Sequence, residues 1–184
     1  MKKVIISVLG QDRPGIIAAI ARILFENDGN IENVSQTSLQ SEFAGIFIVA
    51  IPDILAQADL EQRMAAALDG MDLQVHIKPV EPRHEAEAPA AVESFIITTR
   101  GPDQKGLVAR VTEVIARHNV NVTNCQAVFK GGDDPNSNIM IYEVDIPAET
   151  DQQTLFSDLR HKGAELHLQV SIQHRDIFET LNRI

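Results

Sequence analysis

Val4-Ile5-Ile6-Ser7-Val8-Leu9-Gly10-Gln11-Asp12-Arg13-Pro14-Gly15-Ile16-Ile17 decides the fold, because the same pattern returns as Phe95-Ile96-Ile97-Thr98-Thr99-Arg100-Gly101-Pro102-Asp103-Gln104-Lys105-Gly106-Leu107-Val108. Extended without gaps, Val4–Gln36 lies on Phe95–Ala127, 33 residues at a shift of 91. Eight positions are identical: Ile5/Ile96, Ile6/Ile97, Gly10/Gly101, Asp12/Asp103, Gly15/Gly106, Ala18/Ala109, Asn30/Asn121 and Asn33/Asn124. After a four-residue insertion in the second copy the register resumes at a shift of 95, placing Phe47–Pro52 on Tyr142–Pro147 and Leu73–Ile77 on Leu168–Ile172. Self-similarity of this kind marks a duplicated module. The 184 residues therefore divide into a first copy (1–80), a linker (81–93) rich in Pro and Glu, a second copy (94–176) and a tail (177–184).

Each copy changes its hydrophobic period in one order. Val4–Leu9 is a short β-branched apolar run stopped by Gly10, which reads as a buried strand. Ile16, Ile17, Ile20, Ile23 and Leu24 recur at helical spacing, with Pro14 in the first turn and Asp12 placed to cap it. Asp28-Gly29-Asn30 ends that helix, and Ile31–Ser38 with Gly45–Ile51 form a hairpin pair. Pro52-Asp53 opens a second helix carrying Leu60, Met64 and Leu68, Gly70 ends it, and Leu73, Val75 and Ile77 alternate as a last strand. The second copy predicts strand 94–100, helix 105–118, strands 121–130 and 138–146 around a turn-rich tip at Gly131–Asn136, helix 151–162 and strand 166–173. The order β-α-β-β-α-β predicts an α+β fold of two ferredoxin-like domains, each a four-stranded antiparallel sheet with two helices on one face. The uncovered face or a strand edge then invites another copy, and a homodimer is the expectation.

The polar positions shared by the copies lie at the joints. Gly10-x-Asp12-x-x-Gly15 and Gly101-x-Asp103-x-x-Gly106 each join a strand to a helix. Glycines there allow a tight bend and close approach, and a helix start offers unpaired N–H groups at a positive dipole end, which suits a carboxylate or phosphate. Turn-making and helix capping alone are the competing account. Asn30 and Asn121 open the second strand, which places them near the same end of the sheet as the glycine turn, where an amide can orient a zwitterion. Strand alternation puts Asn33 and Asn124 on the opposite face from them.

Other chemistry is excluded on spacing. The glycine pairs have a P-loop's interval, but Ile16 and Leu107 stand where its Lys belongs, and Gly-x-Gly-x-x-Gly is absent. The six histidines (76, 84, 118, 161, 167, 174) include no i, i+4 pair and no thiol neighbour, so neither metal nor cofactor is expected. No acid, base or nucleophile set points to catalysis. Cys125, the lone thiol, is expected to be a small buried apolar residue, and no disulfide is implied. The N-terminal apolar run stops at Gly10-Gln11-Asp12-Arg13 without a cleavage site, and no stretch is long enough to span a membrane, so a cytoplasmic protein is expected. Aromatic residues make up only 4% of the chain, against stacked-base RNA binding. The tail carries an apolar stripe, Ile177, Phe178, Leu181 and Ile184.

Strand, then Gly-x-Asp-Arg-Pro-Gly-Ile-Ile, then helix, then Gly29-Asn30-Ile31, resembles the ACT domain, and two tandem copies without a catalytic domain resemble the glycine cleavage system transcriptional repressor group. Copy two departs from the motif at the Arg-Pro pair, where Gln104-Lys105 stands. The resemblance implies a non-enzymatic regulatory protein that binds a small ligand, usually an amino acid, between paired domains. By position, its contacts are Gly10, Gln11, Asp12, Arg13, Pro14, Gly15, Ile16, Asn30 and Ile31, with Gly101, Asp103, Gly106, Leu107, Asn121 and Val122 in copy two. A protein-interaction module without a ligand is the alternative.

The net charge of −10 is spread along the chain: −4 over residues 1–80, −3 over 81–93, −3 over 94–176 and zero over the tail. With no basic patch, contact with nucleic acid or an anionic membrane is opposed, and any effect on transcription passes through a protein partner. Duplex DNA at physiological salt is therefore expected to show no binding in a fluorescence anisotropy titration; submicromolar affinity would contradict this reading.

Overall fold

A computed structural model describes residues 1–80, 91–129 and 138–177, and the chain separates into two compact units, Met1–Glu85 and Ala86–Ile184. Unit 1 runs β1 (Lys2–Gln11), α1 (Ile16–Glu26), β2 (Asn30–Leu39), β3 (Glu42–Ile51), α2 (Gln57–Leu68), a 3-10 turn at Asp69–Met71, and β4 (Leu73–Pro79). Unit 2 runs β5 (Val92–Gly101), α3 (Leu107–Arg117), β6 (Asn121–Phe129), β7 (Asn138–Pro147), α4 (Gln152–Glu165) and β8 (Gln169–His174). The sheets are antiparallel throughout, ordered β2-β3-β1-β4 and β6-β7-β5-β8. This is the expected pair of ferredoxin-like α+β domains.

Alternation along the central strands builds each core. Val4, Ile6 and Val8 point to one side of β1 and are buried against Ile16, Ile20, Ile23 and Leu24 of α1 and Leu60, Met64 and Leu68 of α2. Unit 2 assembles a separate core from Ile97, Tyr142 and Val144 with Leu107, Val111, Val114, Ile115, Leu155 and Leu159. Each such aliphatic side chain contributes about 1.5–3 kcal/mol on leaving water, so a shift of one residue that turned this row outward would remove the core. The repeat register holds at atomic level: Ile6 pairs with Phe47 and Ile77, and Ile97 pairs with Tyr142 and Ile172. Residues of alternate parity, such as Ile5, Ser7 and Leu9, lie on the face without helices.

Several boundaries differ from expectation. Pro52-Asp53 does not open α2; Leu55 N–H donates to Pro52 O at 3.1 Å in a turn, and α2 starts at Gln57. Pro147 makes the same turn to Thr150, after which Asp151 caps α4 through the N–H groups of Gln153 (3.0 Å) and Thr154 (3.2 Å). The Thr154 hydroxyl also donates to this carboxyl, and these bonds hold its pKa below the usual range. α4 extends to Glu165, and β8 waits until Gln169 because the chain first turns through His167 at φ 57. Val92 and Glu93, expected in the linker, belong to β5. Residues 81–90, the hairpin tip Gly131–Asn136, and Phe178, Leu181 and Ile184 lie outside the described residues.

On α2, Gln57 Nε2 donates to the carbonyl of Ile77 and Glu61 accepts from its N–H at 3.3 Å, which occupies the outer edge of β4. The two helices of each unit are also tied, Arg63 to Asn27 in unit 1 and His118 to Asp158 at 3.0 Å in unit 2. These are equivalent positions in the repeat, filled by different chemistry.

Cys125 is exposed rather than buried. It faces the helix side, opposite Tyr142, but lies on edge strand β6 where helix cover has run out; partial burial still raises its thiol pKa. Tyr142 occupies the place of Phe47, and its hydroxyl is buried beside the Thr99 side chain without a well-aligned hydrogen bond. Burial, and then the nearby Cys125, push that phenol up to about 12 against a smaller opposing effect of the Thr99 side chain. Tyr142→Phe is expected to change stability by less than about 1 kcal/mol, because the buried hydroxyl that is removed has only the poorly aligned Thr99 side chain beside it. A larger loss in thermal denaturation would show that the Thr99 contact is a full hydrogen bond.

Candidate functional site

The loop between β1 and α1 is built by two glycines with different tasks. A Cβ on Gly10 would sit 2.5 Å from the Asp72 carbonyl oxygen, and one on Gly101 would sit 2.8 Å from that of His167. The close approach is thus to the chain's own lead into β4 or β8. Gly15 and Gly106 adopt φ of +96° and +84° at the N-cap of α1 and α3, a left-handed conformation that suits glycine. No side chain caps either helix, and neither first turn holds an acid. The expected capping by Asp12 and Asp103 does not occur, because the glycine occupies the cap position. Asp12 instead accepts from Ser38 Oγ at 2.8 Å while its N–H donates to Ser41 O at 2.7 Å. Asp103 accepts from Asn138 Nδ2 at 3.2 Å. Asp12 thus ties its loop to the second strand and the turn after it, and Asp103 ties its loop to the third strand.

Arg13 and Gln104, the point where the two motifs diverge, do one job. Arg13 Nη1 donates to Gly70 O at 3.4 Å and Gln104 Nε2 to Leu166 O at 2.7 Å, each reaching the end of the second helix. Gln11 closes β1 opposite Glu42, Pro14 is exposed, and Ile16 and Leu107 are buried in their cores. Asp12, Gly15, Ile17, Ala18, Gln36 and Ser38 border an open notch of about 300 Å³ over the start of α1. Its chemistry is mixed: unpaired helix N–H groups, a carboxylate, a hydroxyl and an amide, matched to an anion and a donor on one small molecule.

The asparagines lie elsewhere. β1 and β2 both run antiparallel to β3, so they run parallel to each other, and Asn30 pairs with Ala50, which pairs with Lys3 at the start of β1. Gly10 pairs with Phe43 at the other end. Seven residues at about 3.3 Å each separate the two by roughly 23 Å. Unit 2 repeats this, with Asn121 in the row of Asp145 and Ser94 and with Gly101 opposite Asn138. The expectation that loop and asparagine share one end is therefore corrected: the helical crossover returns the chain to the start of the sheet before β2 begins.

Alternation also misplaces the second asparagine. A β-bulge shifts the register between Ile31 and Asn33 and again between Val122 and Asn124. The extra residue, Glu32 or Thr123, returns Asn33 and Asn124 to the same face as Asn30 and Asn121. Asn124 Nδ2 donates to Glu143 Oε1 at 2.9 Å, and Lys3 pairs with Glu32 at 2.7 Å. Ile31 and Val122 turn inward and pack on their cores. Of the predicted residues, each unit thus brings together the loop group and, far from it, the asparagine group.

Among the described residues no three His, Cys, Asp or Glu side chains gather as a metal site, and no helix is long and apolar enough to cross a membrane. Sequence reasoning missed Ser38 and Asn138, the hydrogen-bond partners of the two aspartates; their signal was long-range pairing, which a local motif does not carry.

Comparison with known proteins agrees with this architecture. The ACT domain family model matches residues 2–78 and 93–173. A UPF0237 protein of Methanocaldococcus jannaschii is 38% identical over 79 residues, 88% of that protein but 42% of this chain, so it corresponds to a single module. A UPF0237 protein of Corynebacterium efficiens is 41% identical over 75 residues, 84% of its length and 40% of this chain. Among solved structures, an unknown protein from Galdieria sulphuraria superposes with a TM-score of 0.78 at 20% identity, covering 94% of this chain and 98% of that one. A putative glycine cleavage system transcriptional repressor superposes at 0.70 and 16% identity, covering 94% and 96%; these two likenesses concern the fold. The chain belongs to the ACT domain family and carries two copies of that domain in tandem.

Proposed function

We propose that the protein is a non-enzymatic regulator that binds a small amino acid at the glycine-led helix starts and passes the signal to a protein partner. The observation that carries this reading is the uncapped α1 N-terminus at Gly15, beside an Asp12 carboxylate held in place by Ser38. Helix N–H groups suit the ligand carboxylate, and Asp12 suits its ammonium. Because Asn30 lies at the other end of its sheet, one ligand touching both groups requires a second module packed antiparallel to the first. Ligand binding that favours one arrangement of such a pair is enough to signal. The even negative charge favours a protein rather than DNA as the recipient.

The competing reading, an interaction module without ligand, draws on the structural tasks of Gly10, Gly101, Asp12 and Asp103. A thermal-shift series with the twenty amino acids separates the two. Ligand at 100 times its dissociation constant stabilises by about 2.7 kcal/mol, or roughly 5–10 °C for a protein of this size. No shift with any amino acid at millimolar concentration removes the sensor reading.

The two modules also differ in the expected loss. Asp12→Asn is expected to weaken binding about tenfold, since an ionised hydrogen-bond acceptor is lost, and Asp103→Asn less, because copy two lacks the Arg-Pro motif. Calorimetric titration of both variants checks this, and equal losses contradict the ranking.

A further inference from the structure

Arg100, Gly101, Pro102, His167 and Gln169 line a cavity of about 420 Å³ where β5 ends and β8 begins. Arg100 pairs with Gln169 across the two strands, so both side chains rise from one face of the sheet, the face without helices. His167 stands in the turn just ahead of β8, held at φ 57 with its N–H donating to Ala164 O at 3.1 Å. Its carbonyl lies where any side chain on Gly101 would collide, so the strand end and the turn are locked together. The backbone that carries the polar groups is therefore fixed before anything binds.

The repeat separates what is retained here from what is new. Leu9, Asp72 and Gln74 hold the equivalent places in unit 1, where Leu9 pairs with Gln74 and Asp72 has the same left-handed backbone at φ 54. Geometry and amide are kept, while an apolar side chain has become a guanidinium and an acid has become an imidazole. Among the described residues neither Arg100 nor His167 has an ion-pair partner, and no carboxylate lines the cavity. The acids nearest in sequence are engaged elsewhere, Asp103 by Asn138 at 3.2 Å and Glu165 by Lys162 and His161. On a chain of net charge −10, a guanidinium with no acid beside it is a local reversal of sign. We propose that this cavity binds the oxyanion of a small molecule, a carboxylate or a phosphate, with Arg100 as the bidentate donor and His167 and Gln169 as further N–H donors. The notch over α1 is bordered by residues of β2, whereas this cavity borders β8, the counterpart of β4 on the opposite edge of the sheet, so the two sites are distinct.

Nitrogen-15 NMR of the full chain can follow the Arg100 side chain, the Gly101 amide and the His167 ring while inorganic phosphate or succinate replaces chloride at constant pH and ionic strength. At least one of the two is expected to give saturable shifts at these groups in the millimolar range, and the one that does identifies the oxyanion the site takes. Arg100→Leu, which installs the residue of unit 1, is expected to weaken binding about tenfold. His167→Asn, chosen because Asn tolerates the left-handed backbone, is expected to weaken it by a smaller factor and carries the test should Arg100→Leu lower the melting temperature. Shifts that rise without saturating for both anions overturn the proposal, as does binding that neither variant weakens. Shifts centred instead on Asp12 and Gly15 overturn it too, and leave the amino-acid reading of that loop standing.

Discussion

The central row of each sheet, Phe47-Ile6-Ile77 in one unit and Tyr142-Ile97-Ile172 in the other, is the constraint on which the molecule depends. Ile6, Ile77 and Ile97 are fully buried, and the strand period of two then dictates which neighbours face water. Helix cover on one side follows, and so does the polar or half-exposed character of Ser7, Leu9, Thr98 and Arg100 on the other. The glycine loops are consequences of the same row. Once β4 and β8 pair beside β1 and β5, their lead-in carbonyls pass so close to Gly10 and Gly101 that no side chain fits there.

Much of this was legible because apolar spacing is a strong local signal and the chain states it twice. The repeat shifts of 91 and 95 recover the strand pairing itself, since Val34 opposite Phe47 and Cys125 opposite Tyr142 are equivalent pairs. The two bulges were not legible. Glu32 and Thr123 are ordinary strand residues, and an added residue leaves no mark on composition while it reverses the faces that follow. The aspartates were misread for another reason: a left-handed glycine can serve as the cap, and the Asp side chain then turns to partners far away in sequence. The position of the asparagines depended on strand direction, which the topology contains but residue proximity along the chain obscures.

Duplication has preserved geometry more strictly than chemistry. Loop shape, left-handed glycines, bulges and central pairing recur in both units, while the helix tie changes from Arg63 with Asn27 to Asp158 with His118. Arg13 and Gln104 likewise hold carbonyls one repeat position apart, just after the second helix or at its end, with different side chains. Such exchange is tolerated because each device requires a donor and an acceptor in place and is indifferent to which side supplies which.

The engagement of Ile77 on β4 by Gln57 and Glu61 has a consequence for how unit 1 can grow. A sheet open along both margins can be extended indefinitely by identical neighbours, and such ribbons are the route to fibrils. Here one margin is engaged by the adjoining helix at Ile77. The other, Asn33–Leu39, carries no charge, proline or glycine to repel a strand. A sheet so constructed meets a neighbouring strand more readily along β2 than along β4, where α2 interrupts the margin at its middle.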